Sequence, residues 1–210
     1  MRTPPILPTC LAILLAVQAH AQSGRLGSRD GIQGCGATAI GSDLIVTAAH
    51  CVHDGRGGPF YHPGGGLDPI PLRRIVHDPD YAKTSDRHAK AGRDLALGRL
   101  ARPMGAGPIR HTVGPPPRAG EVLVLETLSH PGRGETRRQT CPVVRRTEGA
   151  ATLSCAVVSG DSGSPVLRIT DTGSEIAAVA VARTTFLGAP ATVAADLLPR
   201  MRVLRGRLGN

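Results

Sequence analysis

The chain has 210 residues, with 25 Lys+Arg against 16 Asp+Glu for a net charge of +9, 27 glycines, 18 prolines, and aromatic residues at 2% with no tryptophan. That length suits one large domain or two small ones. The scarcity of rings excludes a base-stacking nucleic-acid platform, so the arginine pairs Arg137-Arg138 and Arg145-Arg146 are read as a solvated face.

Residues 1–21 carry Arg2, the apolar run Leu11–Val17 and the small-residue site Ala19-His20-Ala21. This is the pattern of a secretory signal peptide, too short to remain as a bilayer anchor. Cleavage after Ala21 would start the mature chain at Gln22 and place it in the periplasm or outside the cell. Cys10 would leave with the leader and does not follow the apolar run as a lipoprotein cysteine does. The remaining four cysteines, Cys35, Cys51, Cys141 and Cys155, allow three disulfide connectivities. No C-x-x-C pair favours zinc, and export favours disulfides, so no metal is expected.

The rest reads as short apolar or β-branched runs between Gly/Pro-rich turns. The runs are Ala37–Ile40, Asp43–Thr47, Pro71–Val76, Leu95–Leu100, Glu121–Leu128, Cys141–Arg146, Ala151–Ala156, Pro165–Ile169 and Glu175–Thr184. Such spacing predicts an all-β sandwich or barrel. The proline-rich stretch Ala101–Ala119 reads as a connection between two units, and Ala194–Leu204 as a short terminal helix in which Pro199 either lies in the first turn or interrupts it. His77-Asp78-Pro79-Asp80-Tyr81 is a turn rather than a calcium loop, and Gly64-Gly65-Gly66 lacks the Lys-Ser/Thr of a phosphate loop. His53, His62, His77, His88, His111 and His130 show no ligand spacing.

Three short motifs carry chemistry. Gly160-Asp161-Ser162-Gly163-Ser164-Pro165 is a tight turn that exposes one hydroxyl between glycines. A serine alcohol is a poor nucleophile and needs a base for its proton and donors for the oxyanion it creates. The Gly160 and Ser162 amides can serve as those donors if a buried Asp161 locks the turn. The base and its orienting acid are supplied by Thr47-Ala48-Ala49-His50-Cys51, at the end of an apolar run, and Asp94-Leu95-Ala96-Leu97, at the start of another.

Taken in chain order, His50 then Asp94 then Ser162, the three motifs resemble the trypsin/chymotrypsin-like serine peptidase family, from about Gly24 to the C-terminal segment. The resemblance implies two six-stranded antiparallel β-barrels with a short C-terminal helix. A barrel over 22–110 would bring His50 and Asp94, and a barrel over 111–210 would bring Ser162 and the helix. It implies a cofactor-free, monomeric endopeptidase acting on protein or peptide, with His50 as base, Asp94 as its orienting acid and Ser162 as nucleophile. It also implies the disulfide Cys35–Cys51 beside the histidine and, with it, Cys141–Cys155.

Some features depart from the family pattern. Ser164 replaces a second glycine, as in bacterial glutamyl-endopeptidase-like relatives, and points to a short bacterial branch. No Ile-Val-Gly-Gly start is present to supply an amine for Asp161, so a buried Asp161 is expected to pair with an arginine. The position six before the nucleophile, where trypsin-like members carry an acid, is Ala156, which disfavours basic substrates. Small or apolar residues would suit it, whereas Arg183 would favour acidic ones. A non-catalytic binding protein on the same scaffold is the alternative function, since fold alone does not guarantee activity. A polyanion binder acting through the arginines is a weaker one.

Overall fold

The computed structural model describes residues 23–30, 34–64, 68–105, 111–128 and 136–209. The expected leader with Cys10, the initial Gln22, His130 and most of the Gly64–Gly66 turn lie outside them.

Six strands come from the first half: β1 (Ser23–Gly27), β2 (Gly36–Ala39), β3 (Leu44–Thr47), β4 (Phe60–Pro63), β5 (Ile70–His77) and β6 (Ala96–Leu100). They close into a barrel in the order β1-β2-β3-β6-β5-β4, every pairing antiparallel. Leu26, Ile45, Tyr61, Ile70 and Leu100 fill it. Tyr61 is fully buried, and loss of solvent pushes its phenol far above the ordinary range.

The second half contributes β7 (His111–Val113), β8 (Val122–Leu128), β9 (Thr136–Thr147), β10 (Ala150–Leu153), β11 (Pro165–Thr170), β12 (Gly173–Phe186) and β13 (Ala189–Asp196). Strand β11 pairs with both β8 and β12, which closes β8-β9-β10-β13-β12-β11 into a second ring. The expected pair of six-stranded barrels is therefore present, and β7 lies parallel to β12 as an addition. Buried Ala177, Ala178, Ala180 and Ala194 pack with Leu123, Leu125, Leu153 and Val166 to fill this ring.

Between the barrels, Val46, Leu95 and Leu97 meet Leu167, Ile176 and Val179 in one apolar cluster. The terminal helix α3 (Leu198–Leu208) adds Met201, Leu204 and Leu208 to that cluster. It packs on β5 and β6 of the first barrel although it follows the second in sequence. Two further helices are single turns, α1 (Ala49–His53) and α2 (Arg87–Ala91), the latter capped by Asp86 accepting from the Ala89 amide at 2.7 Å.

Three sequence expectations are corrected. The helix begins at Leu198, because Ala194–Asp196 are the end of β13, held by β10 and β12. Alanine favours a helix locally, but two neighbouring strands in register outweigh that preference. β1, β4 and β7 were not legible: Ser23–Gly27 is rich in Gly and polar residues, and Phe60–Pro63 and His111–Val113 are runs of only 4 and 3 residues. The arginine pairs are not simply a solvated face: Arg138 closes on the buried Glu126 at 2.7 Å and Arg146 grips the buried Asp196 with contacts of 2.8 and 2.6 Å.

Candidate active site

His50 sits in the single turn α1, directly after β3 delivers the chain through the fully buried Ala48 and Ala49. Small side chains there leave room for the imidazole. Asp94 lies just before β6 and is 7% exposed. Its carboxylate holds the histidine at two points: one oxygen accepts the His50 backbone N–H at 2.8 Å and the other lies 2.7 Å from Nδ1. With Nδ1–H donating to a carboxylate, the neutral ring carries its lone pair on Nε2.

The support behind Asp94 is extensive. The amide of Leu95 donates to the Arg93 carbonyl at 2.8 Å, and that of Asp78 to the Leu95 carbonyl at 2.9 Å. Asp78 is fully buried, accepts the Asp80 amide at 2.9 Å and faces Arg200 of α3 at 3.6 Å. The Asp78–Tyr81 segment is thus a structural turn whose second carboxylate, Asp80, pairs with Arg93 at 3.2 Å. Tyr81 packs alongside, its phenol pushed up to about 12 first by burial and then by the charges of Asp94 and Asp54.

The serine turn is fixed from both barrels. Asp161 N–H donates to the Val158 carbonyl at 3.2 Å, Ser164 N–H to that of Asp161 at 3.1 Å, and Gly163 N–H to that of Ala180 at 2.7 Å. The amides of Gly160 and Ser162 take no partner among the described residues, which leaves two donors for an anion. Gly160 and Gly163 have φ of 95° and 90°, a region costly for residues with a Cβ. The first barrel reaches across: Gly36 N–H donates to the Gly160 carbonyl at 3.1 Å, and Thr47 Oγ1 donates to the Gly36 carbonyl at 2.7 Å.

Asp161 is 4% exposed. One of its oxygens accepts both the Val158 amide at 2.9 Å and Arg137 Nη2 at 3.0 Å. The expected arginine partner is therefore Arg137 on β9. Arg25 of β1 lies beneath the same turn, donating to the carbonyls of Leu128 and Gly34 at 3.0 and 3.2 Å. Burial lowers the pKa of its guanidinium, and the charge of Asp161 opposes that shift.

Both disulfides are formed, Cys35–Cys51 with a Cα separation of 6.1 Å and Cys141–Cys155 with 5.3 Å. Cys35, Cys51 and His50 form the one metal-sized cluster among the described residues, but the two sulfurs are bonded to each other and offer no thiolate.

A cavity of about 280 Å³ brings His50, Gly160 and Ser162 together with Arg183. Ala156 does not line it. That residue is exposed, and its carbonyl accepts Gln139 Nε2 at 3.1 Å, so Val157, Val158 and Ser159 form the wall expected of Ala156. Sequence reasoning also missed Arg25 and Arg56. No motif marks them, because each reaches the site only through barrel closure or a loop return.

Among the described residues no helix is long and apolar enough to cross a membrane. No curated protein matches the chain in sequence. The family model of the trypsin-like peptidase domain matches residues 34–177, a span that contains His50, Asp94 and Ser162. With that match laid over two closed barrels and a serine turn between them, the chain belongs to the trypsin-like peptidase domain family.

Proposed function

We propose that the chain is a secreted serine endopeptidase of a short bacterial type, acting as a monomer on protein or peptide substrates without a cofactor. His50, Asp94 and Ser162 would be its catalytic residues. The observation that carries this reading is the two-point hold of Asp94 on His50 beside a cavity that also contains Ser162 and two unspent amides. In the mature protein, 22–110 would supply base and acid, and 111–210 the nucleophile.

The chemistry follows from those positions. His50 Nε2 takes the Ser162 proton as the hydroxyl oxygen attacks the substrate carbonyl. Asp94 keeps the proton on Nδ1 and stabilises the imidazolium that forms. The carbonyl oxygen becomes an anion facing the Gly160 and Ser162 amides, and one such donor is worth about 3 kcal/mol in a comparable site. Collapse expels the amine, which receives the proton from His50, and leaves an acyl-enzyme. Water then adds by the same route and frees Ser162. The disulfides favour an oxidising compartment, in keeping with export.

The test is labelling of the mature protein by a fluorophosphonate, with Ser162→Ala as control. Labelling confined to the unmutated protein is expected. No labelling of folded protein with both disulfides closed would refute the proposal of an active peptidase and leave a latent zymogen or a binding protein on a peptidase scaffold.

A further inference from the structure

The charged lining of the cavity is one-sided. Its walls are apolar at Val157, Val158 and Val181, and its charged side chains are Arg183 and Arg56, with no Asp or Glu among the lining residues. The two arginines approach from different elements. Arg183 lies on β12, where the register slips between Ala180 and Ala182 and leaves Val181 as an extra residue. A bulge of this kind re-aims side chains, and here the consecutive residues Ala180, Val181, Ala182 and Arg183 all line the cavity. Arg56 follows α1, its carbonyl lies beside Gly34, and it reaches the cavity from the first barrel whereas Arg183 comes from the second.

Their state differs from that of the structural arginines. Arg137, Arg146 and Arg168 each close on a carboxylate within hydrogen-bond distance. Arg183 is exposed and forms no ion pair among the described residues. Arg56 meets Asp54 only at 3.9 Å, and its side chain is 68% exposed. Two guanidinium groups that hydrogen-bond no carboxylate among the described residues repel cationic substrates at a cleft and offer planar, two-donor recognition to carboxylates. The overall charge of +9 adds a field that draws anionic chains inward.

We propose that the site selects acidic polypeptide. Arg183 reads a Glu or Asp immediately before the cut bond, whose aliphatic stem lies on the valine walls. Arg56 reads an acidic residue on the leaving-group side. This rests on Ser162 being the nucleophile.

The test uses the mature full chain on peptide libraries varied separately on each side of the cut. Exposed ion pairs are modest, so cleavage after Glu or Asp should exceed cleavage after Ala or Leu by about fivefold, and by less in high salt. Arg183→Glu should invert the acyl-side preference toward Lys and Arg while the leaving-group preference stays acidic. Arg56→Glu should do the converse. A gain of basic cleavage cannot arise from misfolding. Equal cleavage after neutral and acidic residues, or profiles unmoved by either reversal, would overturn the proposal while fluorophosphonate labelling still upheld the nucleophile. Failure of the unmutated chain to label would overturn both.

Discussion

The pairing of Asp161 with Arg137 makes a demanding prediction. Asp161 has a side chain 5% exposed, whereas that of Arg137 is 44% exposed. Removing one partner of a fully buried pair costs about 3–5 kcal/mol, because the other charge is left stranded. Here the arginine is half in water, and the Val158 amide stays on the same carboxylate oxygen. We therefore expect Arg137→Ala to cost about 2 kcal/mol of stability, roughly half the buried-pair figure. Asp161→Asn keeps an acceptor for Val158 but removes the charge that faces the buried Arg25, so its stability cost should also be about 2 kcal/mol. Its effect on the site should be larger, since the Asp161 side chain fixes the turn that aims the Gly160 and Ser162 amides. Loss of one such donor slows comparable enzymes about 100-fold or more. The assay is urea unfolding together with the second-order rate of fluorophosphonate labelling, for both single variants and the double. Wild-type labelling rates and unchanged unfolding midpoints in both single variants would refute the anchoring role. Strict additivity in the double would show that the two side chains do not act as a pair.

Other consequences follow from the same contacts. Gly163→Ala would set a Cβ against the Gly36 carbonyl and Thr47 Oγ1 at a φ of 90°, so labelling should fall at least tenfold; a fully labelled variant would show that the barrels do not close on that turn. Glu121 has its pKa lowered, first by its hydrogen bond from Arg168. A depressed carboxylate stabilises the fold above its unfolded value and loses that contribution as pH falls, so the difference in unfolding midpoint between wild type and Glu121→Gln should shrink below about pH 4.5, and a difference that grows there would contradict the pairing. Replacing both Cys35 and Cys51 by Ala opens a loop of sequence separation 16 and should cost about 3 kcal/mol in urea unfolding; an unchanged midpoint would mean that the bridge constrains little.

The resemblance and the order of His50, Asp94 and Ser162 were legible because each motif is local. A histidine at a strand end, an acid opening an apolar run and a serine between glycines can be read without knowing what packs against them. Strands such as β3, β6, β8 and β11 were legible for a related reason, since their apolar runs are bounded by turn residues. β1 was not: Ser23-Gly24-Arg25-Leu26-Gly27 has no strand signature, and it forms because β2 and β4 present open edges on both sides. Nor was the arginine pattern. Nothing near Arg137 in sequence distinguishes it from Arg145, yet one faces a buried aspartate and the other faces solvent.

By itself the sequence determined the class of fold, the three motifs that carry His50, Asp94 and Ser162, and the expectation of a cation at Asp161. Tertiary structure alone decided which cation answers that need, which residues wall the cavity and which arginines stand beside it without a hydrogen-bonded carboxylate. The reason is the range of the interactions. Turn geometry and apolar patterning act within a few residues, whereas Arg137 reaches Asp161 across 24 positions and Asp94 reaches His50 across 44. Such contacts exist only once strand register and barrel closure have placed both ends, so the specificity of the cleft is a property of the folded pair of barrels.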